Sequence, residues 1–167
     1  INLAAGLTQL NKKILVIDLD PQGNATTGLG LSNVDNSSDT IYGVLNGTRE
    51  INQIIKKTEF ENLDIITSNV DLSGVEVETA DDSNRAFLLK VKLSAYLNNS
   101  RGSYDYVLID CPAGVEDGFK NAVSAAKEAI VVTNPEVSAV RDADRVIGLL
   151  NAHGVNPTLL VLNRVRP

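Results

Sequence analysis

The chain has 167 residues, of which 43% are hydrophobic and 22% are charged, a composition typical of a globular domain. Its formal net charge of −6 argues against a strong nucleic-acid binder, because duplex affinity comes largely from cations that neutralise phosphates. A single cysteine excludes an intramolecular disulfide, and no apolar run approaches the roughly 18 residues that cross a bilayer. The length suits one domain over residues 1–167.

The chain opens with a predicted helix at residues 1–10, where leucines recur on one face at spacings of four and three. It contains no methionine, and nothing before Ile1 could cap this helix, so we expect that sequence upstream is missing. A buried strand is predicted next. Residues 14–17 are four consecutive apolar residues without polar alternation, which is typical of a strand covered on both faces.

The stretch up to residue 100 is less regular. It predicts a mobile loop at 24–36, helices at 40–46, 51–57 and 83–98, and a strand at 63–66. Residues 69–82 carry several acids and fit no single class, and a solvated surface explains them.

The second half predicts a buried strand at 106–109 and further strands at 129–132 and 159–162, with helices at 117–127 and 136–152. Within the last helix, the apolar spacing places an inward face on Val137, Val140, Ala143, Ile147 and Leu150. Because strands alternate with helices, the sequence predicts an α/β fold with a doubly wound, mainly parallel sheet and helices on both faces.

Acidic residues follow two of the predicted strands. Asp18 and Asp20 end the first strand, and Asp110 ends the strand at 106–109. Ligands of open parallel sheets bind beyond the carboxyl ends of the strands, where these acids could meet. Carboxylates at this position suit Mg²⁺ held through water beside a bound nucleotide. An ordinary polar turn also explains a single such acid.

Two segments resemble the ParA/Soj/MinD family of deviant Walker A P-loop ATPases. Residues 14–30, with DLDPQGNAT, are similar to ParA and Soj proteins. Residues 104–167, with YDYVLIDCPAG, TNPEVSAVRDADR and LNRVRP, are similar to MinD proteins. The resemblance implies a P-loop NTPase-like fold and an ATPase that uses Mg²⁺ with ATP. It also implies a cytoplasmic protein of bacterial type, peripheral at the membrane or nucleoid when complete.

The resemblance also implies roles for individual residues. Asp20 matches the catalytic aspartate that orients the attacking water, and Asp18 and Asp110 match acids that support Mg²⁺ through water. The positions that match nucleotide-binding residues are Asn24, Pro112, Gly114, Glu136, Asn163 and Arg164. The positions on the helix used for partner proteins are Arg141, Asp142 and Asp144. The implied assembly is an ATP-dependent homodimer with a regulatory partner of the MinC, MinE or ParB kind, and DNA or membrane contacts lie outside these residues.

One departure from the family concerns the phosphate loop. The family's KGGVGKTT segment is expected directly before Ile1, and the printed chain does not contain it. The chain therefore fits an incomplete P-loop ATPase-like domain. An interaction or scaffold domain that keeps the family's surfaces without turnover is the alternative.

Two other chemistries are not favoured. A phospho-acceptor receiver domain also clusters acids, but its acids lie much closer in sequence than Asp20 and Asp110, and it needs a strand-end lysine that is absent after Leu162. Cysteine–histidine catalysis and zinc binding are disfavoured by one Cys and one His, and His153 suits a helix end.

We predict that residues 1–167 alone bind ATP weakly, because the backbone cradle and lysines of the phosphate loop are expected outside them. Isothermal titration with Mg·ATP checks this. Tight, magnesium-dependent binding by these residues would contradict it.

Overall fold

The computed structural model describes residues 1–31, 36–99, 104–112, 114 and 117–165. The chain divides into two compact units, Ile1–Ala122 and Val123–Pro167, and each is described by itself. Among the described residues, no helix combines the length and the apolar character that a membrane crossing needs.

The first unit is built on a four-stranded sheet. Its strands are β1 (Ile14–Asp18), β2 (Ile55–Lys57), β3 (Leu63–Ile66) and β4 (Tyr106–Asp110), in the spatial order β2-β3-β1-β4. β1 is parallel to both β3 and β4, whereas β2 runs antiparallel along β3. The predicted α/β class with a mainly parallel sheet is therefore confirmed.

Helices in the first unit are mostly short. They are α1 (Asn2–Gln9), α2 (Asn24–Gly28), α3 (Ile41–Leu45), α4 (Ile51–Ile54), α5 (Val75–Glu78), α6 (Leu88–Asn99) and α7 (Asp117–Ala125), the last of which crosses the boundary between the units. Short 3₁₀ turns occupy Ser37–Asp39, Val70–Gly74 and Arg85–Phe87. The described part of the predicted loop at 24–36 thus contains a helix, and residues 32–35 lie outside the described residues.

The segment predicted as one helix at 51–57 divides in two. α4 ends at Ile54, and the next three residues pair with β3, so the helix prediction is wrong for them. These residues pair with β3 along its length, and Lys57 Nζ lies 2.8 Å from Asp64 Oδ2 on that strand. A cross-strand pair and sheet hydrogen bonds outweigh the weak local preference for helix.

Burial follows the position of each strand. All five residues of β1 are buried, as expected for a strand between two neighbours with both faces covered. β4 was predicted to be buried, but it forms an edge of the sheet and Tyr106 is 48% exposed. Because β4 has a neighbour on one side alone in this sheet, its burial is incomplete.

The second unit contains a parallel pair of strands, β5 (Ala129–Thr133) and β6 (Thr158–Leu162), joined through α8 (Val137–Ala152). Ala143 and Leu150 of α8 are buried as predicted. Val137 and Val140 were predicted to face inward, but they are 72% and 49% exposed. Both residues lie in the first turn of α8, whereas the buried Ala143 and Leu150 lie further along the helix.

Two glycines give a matched test of packing. A Cβ added to Gly43 in α3 would lie 2.0 Å from the backbone oxygen of Ser38, whereas a Cβ on Gly148 in α8 meets nothing within 4 Å. We expect Gly43→Ala to destabilise the protein by about 2–3 kcal/mol through this clash. Gly148→Ala should stabilise it by about 0.5–1 kcal/mol through helix propensity.

Chemical unfolding of the two variants beside the parent measures both effects. A Gly43→Ala protein as stable as its parent would contradict the packing of α3 against the preceding 3₁₀ turn.

Candidate functional site

The parallel register brings the predicted acids to one edge of the sheet. Asp18 and Asp110 are Cα partners at the carboxyl ends of β1 and β4. The chain leaving β1 stays beside β4, because the Leu19 N–H donates to the Asp110 carbonyl oxygen at 2.7 Å. Asp20 follows one residue later, so the two strands deliver three carboxylates to a common region.

The Asp18 carboxylate is completely buried and accepts three hydrogen bonds. Its Oδ1 accepts from the Asp20 N–H at 3.1 Å. Its Oδ2 accepts from the N–H and the Oγ–H of Thr26, both at 2.8 Å. Hydrogen bonds to an ionised acceptor are the stronger kind, so Asp18 fixes the turn between β1 and α2.

Thr26 connects this carboxylate to the end of β3. Its Oγ accepts from the Ser68 N–H at 3.0 Å while donating to Asp18. A Cβ on Gly23 would lie 3.3 Å from the Ser68 carbonyl oxygen, so the turn packs closely against the end of β3. Gly23 also has a positive φ of 62°, a conformation that glycine adopts readily. Three parallel strands therefore contribute to one site.

Neither Thr26 nor Ser68 was among the predicted site residues. Thr26 ends the quoted segment DLDPQGNAT, and that position was a signal that could have identified it. Nothing in the sequence around Ser68 indicates its pairing with a residue 42 positions away.

Asp20 is the more accessible acid of the first strand. It is half-buried, and its Oδ1 accepts from the Gln22 N–H at 2.9 Å in a tight turn. No described residue donates to its Oδ2, which leaves that oxygen for a ligand or water. Asn24, at the first position of α2, is exposed.

The surroundings of Asp110 disfavour the charged form of its carboxyl group. The pKa of its carboxyl group is raised, first by desolvation and then by the negative charges of Asp18 and Asp20. Like charges that crowd in this way favour a bound cation, since a cation relieves the repulsion. Burial raises the pKa of the neighbouring Cys111 thiol as well, and a neutral thiol is a weak nucleophile.

The donor set at this edge consists of oxygens, which suits Mg²⁺ and not zinc. Among the described residues, no three acidic, histidine or cysteine side chains converge closely enough to hold a metal by themselves. The arrangement therefore fits Mg²⁺ held partly through water and by another ligand.

Beyond β4, Pro112 is half-buried, and the ring packs against Gly118, whose added Cβ would lie 3.4 Å from Pro112 Cγ. Gly114 is exposed with a φ of 109°. Residue 113, between them, lies outside the described residues.

The remaining predicted residues belong to the second unit. Glu136 is exposed and precedes α8, and Arg141, Asp142 and Asp144 are exposed along the helix. Asn163 follows β6, where its N–H donates to the Thr133 carbonyl oxygen at 2.7 Å and its Oδ1 accepts from the Arg164 N–H at 2.9 Å. Arg164 has a φ of 55°.

The lone histidine, His153, ends α8. Its Nδ1 lies 2.8 Å from the Leu149 carbonyl oxygen, so a role in ending the helix accounts for it.

A cavity of about 680 Å³ lies at the opposite edge of the four-stranded sheet, away from the acids. Asp64 lines it, with its Oδ2 2.8 Å from Lys57 Nζ and accepting from the Tyr104 hydroxyl at 2.7 Å. The pKa of Tyr104 is raised by burial and then by Asp64, which keeps the phenol protonated as a donor. Both partners of Asp64 are thus engaged in holding the sheet edge together.

Comparison with known proteins assigns the chain to a family. A family model described as an AAA domain matches residues 1–156. The septum site-determining protein MinD of Synechocystis is 37% identical over 174 positions, covering 99% of this chain. The chromosome partitioning protein ParA of Caulobacter vibrioides is 39% identical over 158 positions, covering 90%. The chain belongs to the ParA/Soj/MinD family.

A solved structure agrees with this assignment. MinD of Pyrococcus horikoshii, complexed with Mg-ADP, matches with a TM-score of 0.77 and 33% identity, covering 98% of this chain and 62% of that one. The chain spans 58% of the length of the two curated relatives, so much of each relative has no counterpart in these 167 residues. The roles that the family resemblance implies for individual site residues of this chain stay predictions.

Thr26 gives a direct test of this site. Thr26→Val keeps the shape of the side chain but removes a donor to Asp18 and the acceptor of the Ser68 N–H. We expect a loss of about 3 kcal/mol, since a buried charge and a buried N–H both lose a partner. That corresponds to roughly 6–12 °C in a chain of this size.

Thr26→Ser, which retains the Oγ, should lose less than half as much. Thermal unfolding followed by circular dichroism distinguishes the variants, and equal losses in both would show that the methyl group, not the hydroxyl, matters.

Proposed function

We propose that the protein containing this chain is a ParA/MinD-type ATPase. It hydrolyses Mg·ATP in a cycle coupled to homodimerisation, and the cycle positions division machinery or DNA. The observation that carries this proposal is the in-register pair of Asp18 and Asp110, with Asp20 beside it, at the carboxyl edge of a parallel sheet. Family membership supports the reaction, and the Mg-ADP complex of the related MinD supports the cofactor.

The three acids would have different roles in the site. Buried Asp18 is held by three donors and keeps the turn in place. The carboxyl pKa of Asp110 is raised by desolvation and by its acidic neighbours, and a nearby Mg²⁺ would stabilise its charged form. No described residue donates to the second carboxylate oxygen of Asp20, which would orient the attacking water. Mg²⁺, when bound, would neutralise charge that develops on the phosphates.

Residues of the second unit would serve recognition. Asn163 and Arg164 follow a strand in a turn fixed by two hydrogen bonds, which suits contact with the adenine edge. The exposed charges at Arg141, Asp142 and Asp144 suit a regulatory partner protein of the MinC, MinE or ParB kind. Glu136 would contact the nucleotide of the other subunit in the dimer, in a cytoplasmic protein that associates peripherally with the membrane or nucleoid.

The test is Asp20→Ala in the full-length protein. We expect Mg-dependent phosphate release to fall by at least about 100-fold, because a positioned carboxylate contributes roughly that much to activation of water. Asp81→Ala, which removes an exposed acid far along the same unit, is the matched control and should leave turnover unchanged.

Binding of Mg·ATP and of the partner protein should persist in Asp20→Ala. A full-length parent protein without Mg-dependent turnover would contradict the ATPase proposal and favour the scaffold alternative. Turnover in Asp20→Ala within twofold of the parent would instead remove Asp20 from its proposed role.

A further inference from the structure

The buried acid of the site, Asp18, faces the protein and not the solvent. The residue is 0% exposed, and both of its carboxylate oxygens accept hydrogen bonds from the chain. The family resemblance implies a role in supporting Mg²⁺ through water, and such a role needs an oxygen that a bound water can reach. A carboxylate whose donors all belong to the chain is instead suited to holding those donors in place.

One of these donors is the backbone of Asp20, the proposed catalytic aspartate. The Asp20 N–H donates to Asp18 Oδ1 at 3.1 Å, and Asp20 Oδ1 accepts from the Gln22 N–H at 2.9 Å. The first bond fixes where the backbone of Asp20 lies, and the second fixes how its side chain is turned. The direction of the remaining oxygen, Oδ2, therefore depends on the position of Asp18.

The position of Asp18 depends in turn on Thr26. This residue is 3% exposed, and its N–H and Oγ–H both donate to Asp18 Oδ2 at 2.8 Å. Its Oγ also accepts from the Ser68 N–H at 3.0 Å, so the hydroxyl proton is directed to the carboxylate. Hydrogen bonds thus run in series from the end of β3 through Thr26 and Asp18 to the backbone of Asp20.

A residue that orients a water molecule works through its geometry, so the groups that hold Asp20 bear on the reaction. We propose that Thr26 is a positioning residue of the ATPase, which acts through Asp18 to hold Asp20 in the orientation that brings Oδ2 to the attacking water. Asp18 belongs to this positioning pair and not to the Mg²⁺ shell. The inference rests on the proposed function, in which Asp20 orients the attacking water.

The inference predicts a loss of rate without a loss of binding. Both members of the pair are buried, so neither would contact ATP or Mg²⁺. In the full-length protein, Thr26→Val should lower kcat by roughly 10-fold or more, because misplacing a reacting group by about 1 Å costs on the order of 100-fold. The KM for ATP and the Mg²⁺ concentration for half-maximal turnover should stay within about twofold of the parent values. Thr26→Ser keeps the hydroxyl and should retain kcat within about threefold.

A double-mutant cycle shows whether Thr26 acts through Asp20. In an Asp20→Ala background, Thr26→Val should change kcat by less than about twofold, because the group that Thr26 positions is absent. Phosphate release is measured for the parent, both single variants and the double variant, at a temperature where circular dichroism shows each protein to be folded. Thr26→Cys, whose thiol is a weak donor, replaces Thr26→Val in the cycle if the valine variant does not fold.

Two controls separate positioning from the chemistry of the substitution and from lost stability. Thr27→Val makes the same replacement one residue later, at an exposed hydroxyl that donates to the Gly23 carbonyl oxygen at 3.1 Å. Asp64→Asn weakens the bonds of a buried acid at the opposite edge of the sheet, where Lys57 and Tyr104 lose an ionised partner. Both variants should keep the parent kcat, although Asp64→Asn should lower the melting temperature.

The outcomes separate the two proposals. The inference is overturned if Thr26→Val leaves kcat unchanged, if it lowers kcat equally with and without Asp20, or if its main effect is a higher requirement for Mg²⁺. It is also overturned if Asp20→Ala itself turns over within about twofold of the parent. Each of these results leaves the ATPase proposal intact. A parent without Mg-dependent turnover contradicts the ATPase proposal, and this inference fails with it.

Discussion

The buried carboxylate of Asp18 is the constraint on which the site depends. It lies at the end of a strand with all five residues buried, and its three donors come from the turn that follows. An ionised group without solvent must find donors, and in satisfying this need the chain brings α2 back against β1. Thr26 extends the same network to β3 through Ser68. One desolvated charge thereby orders three strand ends and the acids around them.

The two buried acids of this sheet are compensated differently. Asp64 meets the cation Lys57 and the hydroxyl of Tyr104, so its charge is neutralised at that edge. Asp18 meets only neutral N–H and O–H donors among the described residues, which satisfy its lone pairs but leave its negative charge in place. That remaining charge raises the pKa of Asp110 after desolvation has done so, and it makes the carboxyl edge attractive to a cation. This charge difference favours the carboxyl edge, and not the cavity lined by Asp64, as the candidate cation site.

The acids of the site could be predicted from the residues at which two strands end. An apolar run followed by acids predicts where a buried parallel strand stops, and two such runs place Asp18 and Asp110 together once the strands are neighbours. Prediction from the sequence failed where long-range pairing decides the structure. β2 forms where residues 55–57 pair with β3, and Ser68 joins the site because its N–H donates to Thr26, 42 residues away. Neither pairing has a local signal, and the apolar spacing of α8 does not distinguish its exposed first turn from the buried residues further along the helix.

Electrostatic crowding at this edge of the sheet is consistent with a site that binds a cation. Such a site must present acceptors before the cation arrives. In the free protein this arrangement is unfavourable, since like charges repel. The fully buried strand β1 supplies the stability against which this cost is set. A fold without this crowding would be more stable, and it would have no preorganised place for the cation.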